Sequence, residues 1–549
     1  MKKHSEKILA LMLGLCLLVL SGCTPIRNMF HLETPTPSPT PSPEPTPTPT
    51  IRPSVTPVPT AELTAEPVPV LTGVETDQDV ISLVFEGFTD EESMEQLLNV
   101  LQDMKVAAVF FVTGKVADEH PDLVRKIRQA GCEIGNYGLT GAKKMEMNSA
   151  DENIYAFRKT QELVYRAIGQ TPRYARMNGS EYTDTLLRAV SAAGLEAAVM
   201  PTLFLNHKSF STEEDAEAYA RNVIRGSIVS VKLGQELDLS EFIGTGPALD
   251  EKPAIDPSPS IGEVGGNRRT EVDTLPLDQM QWLITALKRL NYKMVLPGEL
   301  ESMSVTLLPE TRELTAEEEE LFDADLYPYP VTEKPIHVGQ TRRGEHGDFD
   351  GVVFVGGSDV QSLESYVEWK RETEPEYMGD AQFLYASRLT IERAVNRDPD
   401  DGSLPLVNGV RTPIEDALAQ LDAKTAYLML RYESRQAYLD DRFSSNLKLL
   451  IYRIRKANPG IRLVLQSSFP AVAGKNTTPS NTQLFRFNLK TAALCAKAGL
   501  NYLDPASAVR TEEGDLRDDY CLDRMSYGTH LNDMGCQAWI DYLLQNVPK

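Results

Sequence analysis

The chain runs to 549 residues, of which 41% are hydrophobic, and carries a formal net charge of −24. It is too long for one ordinary domain and holds apolar residues enough for two or three buried cores. So acidic a balance excludes nucleic acid as a partner, which needs a basic footprint, and excludes docking on anionic lipid through surface charge.

The first element is a targeting segment. Lys2, Lys3 and Lys7 form a basic start, "ILALMLGLCLLVL" is an apolar core, and "LSGC" closes it at Cys23. The apolar run alone would also suit a membrane helix, but small residues directly before a cysteine resemble the lipobox of bacterial lipoproteins. That resemblance implies a signal peptide over 1–22, lipid on Cys23, and an extracytoplasmic protein lipid-anchored to the bacterial cell membrane. Each buried methylene of such an anchor contributes roughly 0.8 kcal/mol. Residues 23–74 then form a Pro/Thr-rich tether, "TPTPSPTPSPEPTPTPT" and onward, that cannot bury a core. About 35 residues at roughly 3.1 Å each would hold the rest on the order of 100 Å from the bilayer. Beyond Cys16 and Cys23, the cysteines at 132, 495, 521 and 536 have neither metal-ligand spacing nor the density of a disulfide scaffold. Cys521 and Cys536 are the pair that could bridge.

Over 75–300, short apolar runs alternate with amphipathic stretches: "VISLVF", "AAVFFV", "CEIGN", "RYARM", "EAAVM", "SIVSVKL" and "KMVLP". This rhythm predicts β/α units around a parallel sheet, and seven runs favour a (β/α) barrel. The helix after the first run has Thr89 and Glu92 spaced as a capping box, with Met94, Leu97, Leu98 and Leu101 on one face. The order of pieces resembles the polysaccharide deacetylases, metal-dependent carbohydrate esterases on a distorted (β/α)7 barrel.

The resemblance is one of layout. Against the family's motifs, "VFEGF" puts Glu86 at the base aspartate and Gly87 at a metal aspartate. "NYGLTG" puts Tyr137 and Gly141 at the two metal histidines, "RMNGS" keeps only Arg176, and "SVK" puts Lys232 at the acid histidine. Polarising an acetamide with a divalent metal takes about three protein ligands and an open position, and the matching positions supply none, so no metal is expected. The plain reading of Glu86, Arg176 and Lys232 is a polar lining or an ion pair, and the functional one is retained substrate binding without catalysis. Tyr137, Tyr174 and Tyr182 would suit stacking on sugar or an ordinary core.

Residues 248–275 read as an inserted loop, and 301–339 as an acidic linker in which "LTAEEEELF" is a short capped helix with a solvated charged face. Over 340–549, "GVVFVGG", "AQFLYAS", "TAYLMLR", "RLVLQSS" and "NYLDPA" are strands, with helices near 440–457, 480–498 and 531–546. Five parallel strands with helices on both faces predict a flavodoxin-like three-layer α/β/α domain, whose site lies beyond the carboxyl ends of the strands. Ser358 and "YGTHL" fall there.

This arrangement resembles the SGNH/GDSL hydrolases, acylhydrolases that include many carbohydrate esterases. "FVGGSDVQSL" matches the opening block, with Ser358 at the nucleophile and Gly357 in place of the aspartate. "YGTHLNDMGCQAW" matches the closing block, with His530 at the base. The resemblance puts Tyr527 where the triad aspartate belongs, Glu433 where an oxyanion-hole asparagine belongs, and Ser387 and Arg388 near the glycine amide. Loss of the aspartate costs on the order of 10⁴ in turnover, and loss of the asparagine about 10²–10³. Asp523, seven residues before His530, or Asp533, three after it, could reach the imidazole by a loop, and Arg431 could donate to an oxyanion.

The sequence alone therefore reads as a cell-surface lipoprotein with two carbohydrate-esterase-like domains, a catalytically degenerate glycan-binding or scaffolding pseudoenzyme. Its implied partners are envelope polysaccharide or peptidoglycan and, through lipid, the membrane, with no cofactor. Two alternatives stay open: a serine O-acyl esterase using Ser358 and His530, and a protein-binding envelope assembly factor. Because charge leaves lipid as the only anchor, Cys23→Ser is expected to move the protein from the membrane to the soluble fraction on cell fractionation.

Overall fold

Strands covered on both faces read as unbroken apolar runs, and the strands at the centre of the first sheet do so. The computed structural model describes residues 64–205, 209–233, 277–322, 335–432 and 442–549. Cys23, residues 24–63 of the tether, the 248–275 insertion and Glu433 lie outside the described residues, whereas 68–71, read as tether, bury Val68 and Leu71 and put a strand into the first sheet. The strands of the first region are β1 (Val70–Leu71), β2 (Val80–Gly87), β3 (Ala108–Val112), β4 (Glu133–Asn136), β5 (Tyr174–Ala175), β6 (Ala197–Val199), β7 (Leu203–Leu205), β8 (Ile228–Leu233) and β9 (Lys293–Met294). They pair in the order β1-β6-β5-β4-β3-β2-β8-β7, with β9 also on β2, and every pairing is parallel.

All seven expected runs are strands, but the sheet is a curled half-barrel whose ladders do not close into a ring among the described residues. β1 and β7 form its edges, and were missed because two or three residues carry no readable period. The edges approach one another beside Gly73, whose backbone lies against Thr202, with Val74 N–H donating to Gly226 O at 3.0 Å. Alternation along β2 sends Ile81, Leu83 and Phe85 outward against helices, and Val80 and Val84 inward with Val109, Phe111 and Tyr137. Glu86 continues the inward set. The helix Glu91–Asp103 buries the expected Met94, Leu97, Leu98 and Leu101, but its cap is Asp90, which accepts from Ser93 N–H at 2.9 Å, one residue beyond Thr89.

The second sheet holds β11 (Val352–Gly356), β12 (Gln382–Tyr385), β15 (Thr425–Met429), β16 (Arg462–Gln466) and β17 (Asn501–Leu503), all parallel, in the order β12-β11-β15-β16-β17. Smaller pieces complete the count: β10 (Thr341–Arg342) pairs with β18 (Val547–Pro548), and β13 (Leu406–Val407) with β14 (Val410–Arg411). Numbered along the chain the main order is 2-1-3-4-5, the flavodoxin-like order, with its switch point between β11 and β15. Val353 and Val355 face the helices Arg442–Ala457 and Asn481–Ala498, while Val352 and Phe354 face Ser358–Arg371 and Asp533–Gln545. The result is three layers.

The stretch read as an acidic linker packs where it is described. Leu307, Leu308 and Phe322 are buried in the second sheet's core, and Thr315 and Glu318 cap the helix Ala316–Phe322 reciprocally. The four cysteines at 132, 495, 521 and 536 are free thiols, so Cys521 and Cys536 do not bridge. Among the described residues no helix is long and apolar enough to cross a membrane.

The two sheets meet through charge. Glu75, Asp77 and Asp79 alternate along the connection into β2, and each meets a cation of the helix Arg442–Ala457: Lys448 at 2.9 Å, Lys456 at 2.8 Å and Arg453 at 3.7 Å. Asp79 also accepts from Arg225 Nε at 2.6 Å, and both arginines donate to Val395 O. Arg225 and Arg453 are 4% and 7% exposed. Burial and the neighbouring Arg225 push Arg453 down to about 10. These contacts sit at the amino-terminal ends of β2 and β8, so the half-barrel docks by that end and its mouth lies at the other. Asp79→Asn leaves two buried guanidinium groups short of a counter-charge and is expected to cost roughly 3–5 kcal/mol, read as a fall in the denaturation midpoint. Asp77→Asn, whose partner Lys456 is 63% exposed, should cost under about 1 kcal/mol in the same measurement.

Candidate active site

Ser358 is the first residue of the helix that follows β11, and His530 lies two residues before the N-cap of the last helix. The fold brings them together at the carboxyl edge of the second sheet. His530 Nε2 is 3.0 Å from Ser358 Oγ, and His530 Nδ1 is 2.8 Å from Asp523 Oδ2. Asp523 also accepts from the backbone N–H of Thr529 and of His530, each at 2.9 Å, and from the Cys521 thiol at 3.4 Å. Partial burial works to raise this carboxyl, but the donors from His530 and Cys521 outweigh it and hold the group at about 2. An ionised carboxylate can only accept, so the proton sits on Nδ1 and leaves Nε2 to accept from the serine.

The carboxylate that meets the imidazole is therefore Asp523, one of the two acids within loop reach of it, and position 527 supplies none. Tyr527 is 74% exposed and lies on the rim. Asp523 stands seven residues before His530 instead of three, and the longer loop is closed on itself. Leu522 N–H donates to His530 O at 2.8 Å, Cys521 and Leu531 form an antiparallel bridge, and Ser526 and Gly528 donate to Asp523 O. Gly528 takes a φ of +71°, and a Cβ there would meet Val472 at 2.6 Å. The turn and the close approach both demand glycine. Asp533, the other acid within reach in sequence, opens the last helix.

The three groups open on a cleft of about 770 Å³ lined by Ser358, His530, Ser387, Arg431, Phe469 and Tyr527, among others. Its far wall is the 471–481 loop, tied to the histidine loop where Lys475 Nζ donates to Ser526 O at 2.8 Å and Val472 N–H to Gly528 O at 2.8 Å. Arg431 donates through Nη2 to Asp359 at 3.2 Å and to Phe469 O at 3.1 Å. Arg388 turns instead to Asp401 O, at 3.0 Å.

The half-barrel's polar cluster is of another kind. Glu86 is 2% exposed, and its carboxylate accepts from Tyr137 OH at 2.6 Å, Arg176 Nε at 2.9 Å and Ser230 Oγ at 2.5 Å. Arg176 is spent in turn on Met177 O at 2.6 Å and Tyr182 OH at 3.0 Å. Burial first, and then the Glu86 charge, push the Tyr137 hydroxyl far up, so it remains a donor. Lys232 is paired in register with Glu86 but stays exposed at the mouth, so the structure brings Glu86 and Arg176 together and leaves Lys232 apart. The sequence did not point to Ser230 as a partner, although the period of β8 puts it on the same face as Lys232.

Residues 73–198 match the family model of the polysaccharide deacetylases. A peptidoglycan-N-acetylglucosamine deacetylase of Bacillus cereus is 24% identical over 149 residues, 27% of this chain and 54% of that protein. A chitooligosaccharide deacetylase of Rhizobium leguminosarum bv. trifolii is 28% identical over 120 residues, 21% of this chain and 54% of that one. The chain thus spans about half the length of the curated relatives it matches. Among solved structures, a CE4 family pseudoenzyme from Bacillus anthracis aligns at 18% identity with a TM-score of 0.32, covering 43% of this chain and 70% of that one.

The first region is a polysaccharide deacetylase-like domain, and its residues do not fit the divalent metal that such a domain implies. Glu86 already accepts from three protein donors, one of them a guanidinium, and Tyr137 fills a position that would have to ligate. Among the described residues no three of His, Cys, Asp and Glu gather as a ligand set.

The hydrogen bonds at Asp523 make a measurable claim. A carboxyl held below its unfolded value of about 3.9 lends stability that is complete above that pH and is lost as pH falls through the folded value. Carboxyl-carbon NMR is expected to find Asp523 titrating near 2; titration near 4 would show that the contact with His530 does not form.

Proposed function

We propose that the protein is a serine O-acyl esterase of the bacterial cell envelope, and that Ser358, His530 and Asp523 carry its chemistry. The observation behind this is the unbroken chain of contacts, 3.0 Å from serine to imidazole and 2.8 Å from imidazole to carboxylate, on a cleft at the switch point of a parallel sheet. The likeness of the flanking blocks to the SGNH/GDSL hydrolases supports it. The lipobox-like start and the relatives, two of which are named for peptidoglycan and for chitooligosaccharide, support an envelope polysaccharide bearing O-acyl groups as substrate.

The steps follow from the tautomer. As Ser358 Oγ bonds to the ester carbonyl carbon, its proton passes to Nε2, and Asp523 stabilises the imidazolium so formed. The tetrahedral oxyanion collapses, the C–O bond to the sugar breaks, and the leaving oxygen takes the proton from Nε2. Water then adds to the acyl carbon, giving its proton to Nε2. Collapse releases the carboxylic acid and returns the proton to Ser358 Oγ. The N–H groups of the first helical turn have no intrahelical acceptor, so the backbone at Ser358 can receive the oxyanion.

For the deacetylase-like domain the binding of Glu86 by three protein donors favours the pseudoenzyme reading. A carboxylate already held by three protein donors is not aimed at a substrate, and among the described residues no ligand set gathers to polarise an acetamide. That domain is a substrate-facing or scaffolding module.

Hydrolysis of an aryl acetate and of O-acetylated sugar is the test. Ser358→Ala should abolish it, and Asp523→Asn should lower kcat on the order of 10⁴ by imposing the wrong tautomer. Tyr527→Asp should leave the rate within a few-fold, because the acid is already present, and a chelator should leave it unchanged. Activity surviving Ser358→Ala would sink the assignment. Asp523 is held at about 2, so no step of the pH–rate profile near the ordinary carboxylate value of about 4 should belong to it.

A further inference from the structure

The family resemblance assigns a side-chain oxyanion donor to position 433, where this chain has a glutamate. A carboxylate there would oppose a developing negative charge, so the donor must come from elsewhere or be absent. The register of the second sheet points to a replacement. Gly356 of β11 lies opposite Met429 of β15; Ser358 is two residues beyond the first, and Arg431 two beyond the second. The nucleophile and this arginine leave adjacent strands side by side, and both line the cleft that His530 closes.

How Arg431 is held fits the task. Its two bonds, to Asp359 at 3.2 Å and to Phe469 O at 3.1 Å, are both made by Nη2. Asp359 directly follows the nucleophile and is 8% exposed, and Phe469 is fully buried, so the anchors are rigid. Among the described residues Nη1 and Nε have no protein partner, and the side chain remains 30% exposed toward the cleft. A guanidinium fixed by one arm and open at the others is a preorganised pair of donors, which is what a developing oxyanion requires.

We infer that Arg431 is the side-chain oxyanion donor of this site, acting with the Ser358 backbone N–H in place of the missing asparagine. The inference rests on the esterase reading above. The charge suits the step, since a cation gains most where negative charge appears only in the transition state.

The experiment measures kcat and KM on an aryl acetate for Arg431→Met, Arg431→Lys, Ser358→Ala and the double variant Arg431→Met/Asp359→Asn, with the denaturation midpoint followed for each. Arg431→Met should lose about 10²–10³ in kcat with KM within roughly threefold, and Arg431→Lys should fall between. The double variant removes the carboxylate that Arg431→Met leaves unpaired beside the nucleophile, and its kcat should stay low. Recovery in the double variant would make Arg431 only a partner for Asp359 and overturn the assignment, as would a rise in KM with kcat unchanged. If Ser358→Ala is inactive while Arg431→Met is within threefold of native, Arg431 alone is wrongly assigned. If Ser358→Ala keeps the native rate, the esterase reading itself fails.

Discussion

The histidine loop exists in its observed form because one carboxylate is satisfied from four directions. Asp523 accepts from the His530 ring, from the N–H groups of Thr529 and His530, and from the Cys521 thiol. The same bonds that fold the loop select the Nδ1–H tautomer and point Nε2 at Ser358. Loop geometry and acid–base chemistry are here one set of contacts. An asparagine at 523 would keep the acceptor oxygen while forcing an N–H against a backbone donor or the ring, so the loop and the tautomer would suffer together.

A second buried carboxylate obeys the same rule with the opposite outcome. Glu86 is satisfied by Tyr137, Arg176 and Ser230, all protein groups aimed inward from three strands or their ends. Three of its roughly four acceptor positions are thereby taken by protein. Desolvating a carboxylate costs several kcal/mol unless it is paired and hydrogen-bonded, and these three donors supply that pairing to Glu86. What separates the two sites is direction: the bonds of Asp523 leave the far nitrogen of the imidazole free, whereas those of Glu86 end in the protein.

Much of this was legible in the sequence. The twelve apolar runs named from the two regions are all strands, because buried parallel strands write themselves as Val, Ile, Leu and Phe in a row. Ser358 and His530 were legible from their flanking blocks. The two edge strands of the half-barrel were not, since they are set by which backbone lies beside them. Nor was the cap at Asp90, one residue from a motif that looked complete at Thr89 and Glu92. The carboxylate beside the imidazole was harder to read. Counting three residues back from the histidine lands on Tyr527, and the count holds only for a loop of one length. Gly528, which the turn needs at φ +71°, was the signal that the loop was longer.

The unequal fate of the two sites follows from where each keeps its essential groups. A metal centre in a barrel draws its ligands from several strand ends whose spacing is fixed by ladder register, and a one-residue slip would turn a whole strand inside out. A ligand lost there has no neighbour that can move in. The acid of the second site sits on a loop, where added residues cost little in closure entropy and the Cys521–Leu531 bridge restores the geometry at its base. An aspartate four residues upstream of the expected place can then reach the same nitrogen. Sites carried by rigid elements lose their chemistry when one residue changes, whereas sites completed by loops can keep it through a change of spacing.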